Sequence, residues 1–165
     1  VKTSNSTRSI RQLALACAVL ATPACAGRFV HLDPSAAPNY ATVEVGPGFE
    51  ARSVDVVAGG EIQAASLPTL DGRECEARNI DDQPDVRLVL RSTQSLHIAV
   101  EGDGQDTTLA LHGPGGFLCD DDSAGGDDPA IDLNAAPAGR YEIWVGSYLP
   151  GHYPHVRLVI SPAGR

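Results

Sequence analysis

From residue 52 onward, apolar and polar positions alternate along the chain in short runs. In Arg52-Ser53-Val54-Asp55-Val56 the alternation sets Val54 and Val56 on one face, because successive strand side chains point to opposite sides. The same period recurs over residues 86–91, 96–100, 107–112, 141–146 and 155–160. It groups Val86 with Leu88 and Leu90, Leu96 with Ile98 and Val100, Leu109 with Leu111, and Tyr141 with Ile143 and Val145. Shorter strands are expected at 130–133 and, as an edge strand, at 41–45. Gly59-Gly60 reads as a tight turn with a strand returning over 61–66, and Gly102-Asp103-Gly104 as a hairpin turn. Residues 71–84 read as an acidic loop and 113–129 as a long Gly/Asp loop. No segment carries a helical period. About eight short strands so spaced predict an all-β fold: a two-sheet antiparallel β-sandwich, jelly-roll-like.

Composition supports this reading. The 165 residues include 17 glycines and 12 prolines, a turn-rich usage that argues against a helical bundle. The length is that of one domain. Residues 1–26 have the plan of a secretory signal. Lys2, Arg8 and Arg11 precede an uncharged apolar run over 13–21, and Ala24-Cys25-Ala26 offers an A-x-A cleavage site. A core helix is the alternative. The apolar run falls short of the roughly 18 residues of a membrane span. Cys25 opens a lesser possibility of lipid attachment, although Thr22 and Pro23 fit a lipoprotein signal poorly. The expected organisation is a signal over 1–26, an N-terminal extension over 27–48 and a sandwich domain over 49–165. The expected location is the periplasm or the medium.

Removing the signal changes the charge and the cysteine count. Residues 27–165 hold nine arginines, no lysine and all 21 acids, a net charge of −12. Such a surface repels phosphate backbones, so nucleic acid is not an expected partner. Without lysine, Schiff-base and P-loop chemistry are excluded. Cys75 and Cys119 remain, and in an oxidising compartment such a pair reads as one disulfide, with two buried free thiols as the alternative.

Four stretches carry a family resemblance: Asp106-Thr107-Thr108-Leu109, Gly113-Pro114-Gly115-Gly116, Cys119-Asp120-Asp121-Asp122-Ser123, and the strand Gly139-Arg140-Tyr141-Glu142-Ile143-Trp144-Val145-Gly146. Together they resemble the bacterial pre-peptidase C-terminal (PPC) domain family. The variant with C-D-D-D-S and I-W-V-G is similar to exported proteins of Gram-negative bacteria. The resemblance covers residues 49–161. It implies a secreted β-sandwich, and in some members collagen- or polysaccharide-related binding.

Asp120, Asp121, Asp122, Asp127 and Asp128 fall within nine residues, and Asp106 starts the preceding strand. Hard carboxylate oxygens so close repel one another unless solvent or a cation compensates, and calcium takes six to eight such oxygens from flexible loops. Calcium is therefore the candidate cofactor. The spacing is not that of an EF-hand, because Ile131 stands where the closing Glu belongs. The alternative is a solvated turn whose Asp side chains cap backbone N–H groups. Alternation sets Trp144 on the face opposite Tyr141, where Tyr148 and Tyr153 would complete a flat ligand platform unless residues 148–154 fold over the indole. His152 and His155 read as surface residues. No G-x-S-x-G or H-E-x-x-H motif occurs, and nothing singles out Ser147 with His152 as a catalytic pair.

These features point to an exported, non-catalytic binding module for an extracellular polymer (glycan or protein) or an envelope partner. A structural or lipid-anchored envelope protein and a small secreted hydrolase are the alternatives.

Overall fold

The computed structural model describes residues 31–164. The expected export signal, with Cys25, lies outside the described residues. Nine strands form: β1 (Ala41–Val45), β2 (Arg52–Val57), β3 (Val86–Leu90), β4 (Gln94–Glu101), β5 (Thr107–Gly113), β6 (Gly116–Asp120), β7 (Ala130–Ala136), β8 (Gly139–Ser147) and β9 (His155–Pro162). No helix occurs among the described residues. One sheet runs β1-β3-β8-β5-β6 and the other β2-β9-β4-β7. Every pairing is antiparallel except that of β1 with β3. The chain is thus a two-sheet β-sandwich, as the alternation predicts.

The inner faces also follow the alternation. Val86, Leu88 and Leu90 meet Leu96, Ile98 and Val100, with Leu109, Leu111, Tyr141, Ile143, Val145, Val156, Leu158 and Ile160, in one buried cluster between the sheets. Val45 of β1 and Phe49 belong to the same cluster, so the edge strand at 41–45 is a working part of the sandwich.

The connections differ from expectation in three places. The Gly102–Gly104 turn is not a hairpin: β4 lies in one sheet and β5 in the other, so the chain crosses the sandwich there. Residues 113–129 are not all loop, because β6 pairs with β5 from Leu109↔Asp120 to Gly113↔Gly116. Its residues Gly-Phe-Leu-Cys-Asp alternate too weakly to stand out by pattern. Residues 61–66 form no strand beside β2, whose partner is β9. Ile62 makes only an isolated bridge to Ile80.

Residues 59–85 instead cross the outer face of the five-stranded sheet and build a second apolar cluster there. The sheet contributes Trp144, Ala110 and Cys119, and the crossing segment contributes Ala64, Cys75, Ala77 and Ile80. The Cys75–Cys119 disulfide, with Cα atoms 5.1 Å apart, ties the segment to β6. The approach is closest at Gly146. A Cβ there would lie 2.0 Å from the Arg78 carbonyl oxygen and 2.4 Å from Thr108 Oγ1. Beside it, buried Asn79 donates from Nδ2 to the carbonyl oxygens of Ser147 (2.7 Å) and Tyr148 (3.1 Å).

Asp85 ends the segment. Its N–H donates to the Ile143 carbonyl at 2.8 Å, and its Oδ2 accepts the Val145 N–H at 2.7 Å. The carboxylate therefore extends the β3–β8 ladder by one step. Burial pushes its pKa up to about 7, aided by the charge of Asp81, while the hydrogen bonds from Val145 and Asn39 oppose the rise.

Three outcomes follow for stability. Gly146→Ala forces a methyl group onto backbone atoms and should cost about 3 kcal/mol in urea unfolding. Gly46→Ala, whose Cβ meets nothing nearer than 4.0 Å, should stay within about 0.5 kcal/mol of wild type. Replacing Cys75 and Cys119 by alanine removes a cross-link spanning 44 positions and should cost about 4 kcal/mol. In the wild-type chain, unfolded without reductant, neither thiol should alkylate.

A further outcome concerns pH. The folded Asp85 holds a proton that the unfolded chain has released between about pH 4 and pH 7, so its contribution falls as pH rises through that window. Asp85→Asn keeps an acceptor for Val145 without the charge. Its stability relative to wild type should therefore increase from pH 5 to pH 8. Equal differences at both pH values would show that Asp85 titrates normally.

Candidate functional site

The acidic residues gather at one end of the β5–β6 hairpin. Asp106 stands just before β5, and Asp121 and Asp122 just after β6. Antiparallel pairing, with Leu109 opposite Asp120, brings the two strand ends together. One oxygen from each of Asp106, Asp121 and Asp122 lies within 4.8 Å of the others. Asp106 Oδ1 and Asp121 Oδ1 are both shut off from solvent and have no hydrogen-bond partner. Burial, then the charges of Asp122 and Asp106, push the Asp121 carboxyl up to about 6, against the pull of Arg78. Burial and then Asp127 and Asp122 raise Asp106 as well.

The other three carboxylates have different tasks. Asp120 is buried, and its Oδ2 accepts N–H groups from Ser123 (3.0 Å) and Ala130 (2.8 Å), which closes the loop. Asp128 Oδ1 accepts the Gly102 N–H at 2.8 Å and pins the β4–β5 crossing. Asp127 is exposed, and its carbonyl oxygen accepts the Thr107 N–H at 3.2 Å. The six-residue ligand set read from the sequence therefore resolves into three convergent carboxylates, two caps and one exposed neighbour. Hard oxygens without partners are the donor set that calcium takes, so Asp106, Asp121 and Asp122 fit a divalent cation.

The aromatic platform does not form. Trp144 is 0% exposed, as part of the second apolar cluster. Alternation places it on the outer face correctly, but that face is itself covered. The cover is residues 62–80 rather than 148–154. Tyr148 is half-buried with the Arg78 guanidinium 4.5 Å from its ring centre. Tyr153 is 50% exposed and donates to Glu61 Oε1 at 3.1 Å. The three rings thus have separate surroundings. His152 and His155 are exposed and belong to no ligand cluster among the described residues. Ser147 is buried with its hydroxyl donating to the Leu149 carbonyl, so it is not presented to a substrate.

A second polar constellation was not picked out by the sequence. Across the outer face of the five-stranded sheet, Arg87, Glu142, His112 and Phe117 stand side by side on β3, β8, β5 and β6. Glu142 is buried, and its Oε1 accepts from Arg87 Nε at 2.7 Å and from Arg140 at 2.9 and 3.1 Å. Alternation puts Arg140 and Glu142 on the face of Trp144, but only the register shows Arg87 and His112 beside them.

No family model matches the chain, and no curated protein matches it. Among solved structures, the chain is similar to the pre-peptidase C-terminal domain of a collagenase from Bacillus anthracis. The two share 17% identity over 76% of this chain and 97% of that one, with a TM-score of 0.42.

Proposed function

We propose that the protein is an exported, non-catalytic β-sandwich binding module whose acidic end holds a calcium ion. The observation that carries this reading is the convergence of Asp106, Asp121 and Asp122 with two buried, unpartnered oxygens. Export is supported by the signal-like pattern of residues 1–26 and by the Cys75–Cys119 disulfide, a bond that persists in oxidising compartments. The partner is an extracellular polymer or an envelope component met by the exposed surfaces of the sandwich.

The three carboxylates bind the cation and orient the loop around it. Asp120 and Asp128 hold that loop to β7 and to the β4–β5 crossing, so order at the cation site extends to both. When bound, calcium supplies positive charge that cancels the repulsion among the carboxylates. Magnesium, which demands strict octahedral geometry and holds its waters, should do less.

The test is thermal unfolding of the exported chain in EDTA, calcium and magnesium. At a hundredfold excess over Kd, calcium should add about 2.7 kcal/mol and raise Tm by several degrees. Asp121→Asn with Asp122→Asn should abolish the calcium shift and, by removing repulsion, melt no lower than wild type in EDTA. An unchanged wild-type Tm in millimolar calcium would leave the loop as a solvated turn. An equal shift in the double variant would place the ion elsewhere.

A further inference from the structure

On one side of the sandwich the sheets end in β6 and β7. The β6 edge is occupied. Thr69 bridges Phe117, and the Leu70 N–H donates to the Phe117 carbonyl at 2.7 Å. Along β7 the direction of the backbone groups follows from two fixed points. The Val100 N–H donates to the Pro129 carbonyl at 3.1 Å, and the Ala135 N–H to Ser95 Oγ at 3.0 Å. Residues 129, 131 and 133 therefore turn their backbone groups toward β4, and Ala130, Asp132 and Asn134 turn theirs away from the sheet. Ala130 is satisfied within the chain. Its N–H donates to Asp120 Oδ2 at 2.8 Å, and its carbonyl accepts the Ser123 hydroxyl at 2.9 Å. Asp132 and Asn134 are left as an open stretch of ladder, just before the positive φ of Ala135 and the register shift against β4.

This edge borders an apolar groove. A cavity of about 310 Å³ opens between β7 and the β5–β6 hairpin, with Leu70, Leu111, Leu118, Leu133 and Tyr141 in its walls. Leu70 at its rim is 55% exposed. On the opposite side, where β1 and β2 end the sheets, Phe49 joins the core between them. An open ladder beside an apolar groove takes an extended strand. The two free residues decide which strand. In an antiparallel pair, each outward residue exchanges its bonds with one residue opposite. A second β7, turned about Leu133, sets Asp132 opposite Asn134 of the second copy and Asn134 opposite its Asp132. Centred on Asp132 instead, the pairing would oppose like charges and set Asn134 against the capped Ala130. The Leu133 register also matches side chains. Asp132 gives Oδ1 to His97 Nδ1 at 2.8 Å and has Oδ2 for the amide of Asn134 opposite. On the inner face leucine meets leucine, and the two grooves open toward one another.

We propose that β7 is a dimerisation edge: two copies of the chain join their four-stranded sheets into one continuous sheet through antiparallel β7–β7 pairing about Leu133. The inference uses neither the cation site nor the binding-module reading. Such an interface is isologous and closes on itself. The shared ladder is short, and residues 27–165 of each copy carry a net charge of −12, so association is weak and strengthens with salt.

The experiment is sedimentation equilibrium of the exported chain at concentrations up to about 1 mM, in low and in moderate salt. The average mass should rise toward that of two chains and stop there, with a Kd on the order of 100 μM that falls as salt is raised. Amide hydrogen exchange at Asp132 and Asn134 should slow with protein concentration, while that at Ser53 and Asp55 of β2 should not. Substitutions at exposed positions read the register without touching the core. Asn134→Lys sets a cation opposite Asp132 twice about the axis and should tighten the dimer about fivefold, and Asn134→Asp should loosen it about as much. Ser53→Lys makes the same change in net charge on β2 and should leave Kd within about twofold. A mass that stays at one chain throughout would overturn the proposal. A mass that climbs past two chains would overturn it in favour of an open, head-to-tail contact. Equal tightening by Asn134→Lys and Ser53→Lys would overturn the placement on β7, and a shift in the same direction for both Asn134 variants would overturn the register.

Discussion

An indole on the outer side of a sheet must find apolar cover or leave a large apolar surface in water. In this chain the cover is residues 59–85, and it is reached at a backbone separation that only glycine permits. The Arg78 carbonyl sits where a Cβ of residue 146 would be, and Ile80 packs beside it. Much else depends on this contact. It carries Arg78 to the acidic end, where its charge restrains the rise in the pKa values of Asp106 and Asp121. It seats Asn79 on the Ser147 and Tyr148 carbonyls. It also delivers Asp85 to the start of β3, where a carboxylate stands in for a backbone acceptor. A connection of this length would ordinarily be a mobile loop. Here a disulfide, an apolar cluster and backbone contact make it a third layer.

That layer covers only part of the outer face, and the part it leaves has a different character. Toward the Thr107 end of β5, the sheet presents Ala110, Trp144 and Cys119 to apolar neighbours. Toward the Gly113 end, it presents Arg87, Glu142 and His112 to residues 34–36 and an open cavity. The β5–β6 hairpin joins the two regions. Its strand-end carboxylates converge at one end, and its turn lies beside the open cavity. Because the hairpin is held by β8 along its length, each end is positioned by a strand rather than by a free loop.

Side-chain alternation made the inter-sheet core legible. Val86, Leu96, Leu109, Ile143 and Leu158 all face inward, as their spacing requires, since one buried face and one other face impose a period of two. The same rule placed Trp144 outward but could not say what lay above it. Cover comes from residues far away in the sequence, and their packing leaves no local period. Residues 61–66 look like a strand because apolar and polar positions happen to mix there, yet Ile62 and Ala64 serve a face that no second strand joins. β6 failed in the opposite way. It has the right backbone but, with Gly116 and Cys119 among its five residues, too little alternation to be seen. For Glu142 the missing information was register, since Arg87 arrives from β3 and His112 from β5, and only Arg140 shares its strand.

The acidic loop shows why composition alone overstates a site. Six aspartates in one region suggest six ligands, but a carboxylate oxygen that accepts a backbone N–H is already engaged. Asp120 accepts two such bonds and Asp128 one, so their charges are partly satisfied by the protein itself. No shift of this kind relieves Asp106 and Asp121, whose buried oxygens have no partner and whose pKa values rise in consequence. Folding therefore separates chemically identical side chains into those that stabilise the loop and those that strain it. The strained ones converge on a single point, where a divalent cation would remove the repulsion that burial created.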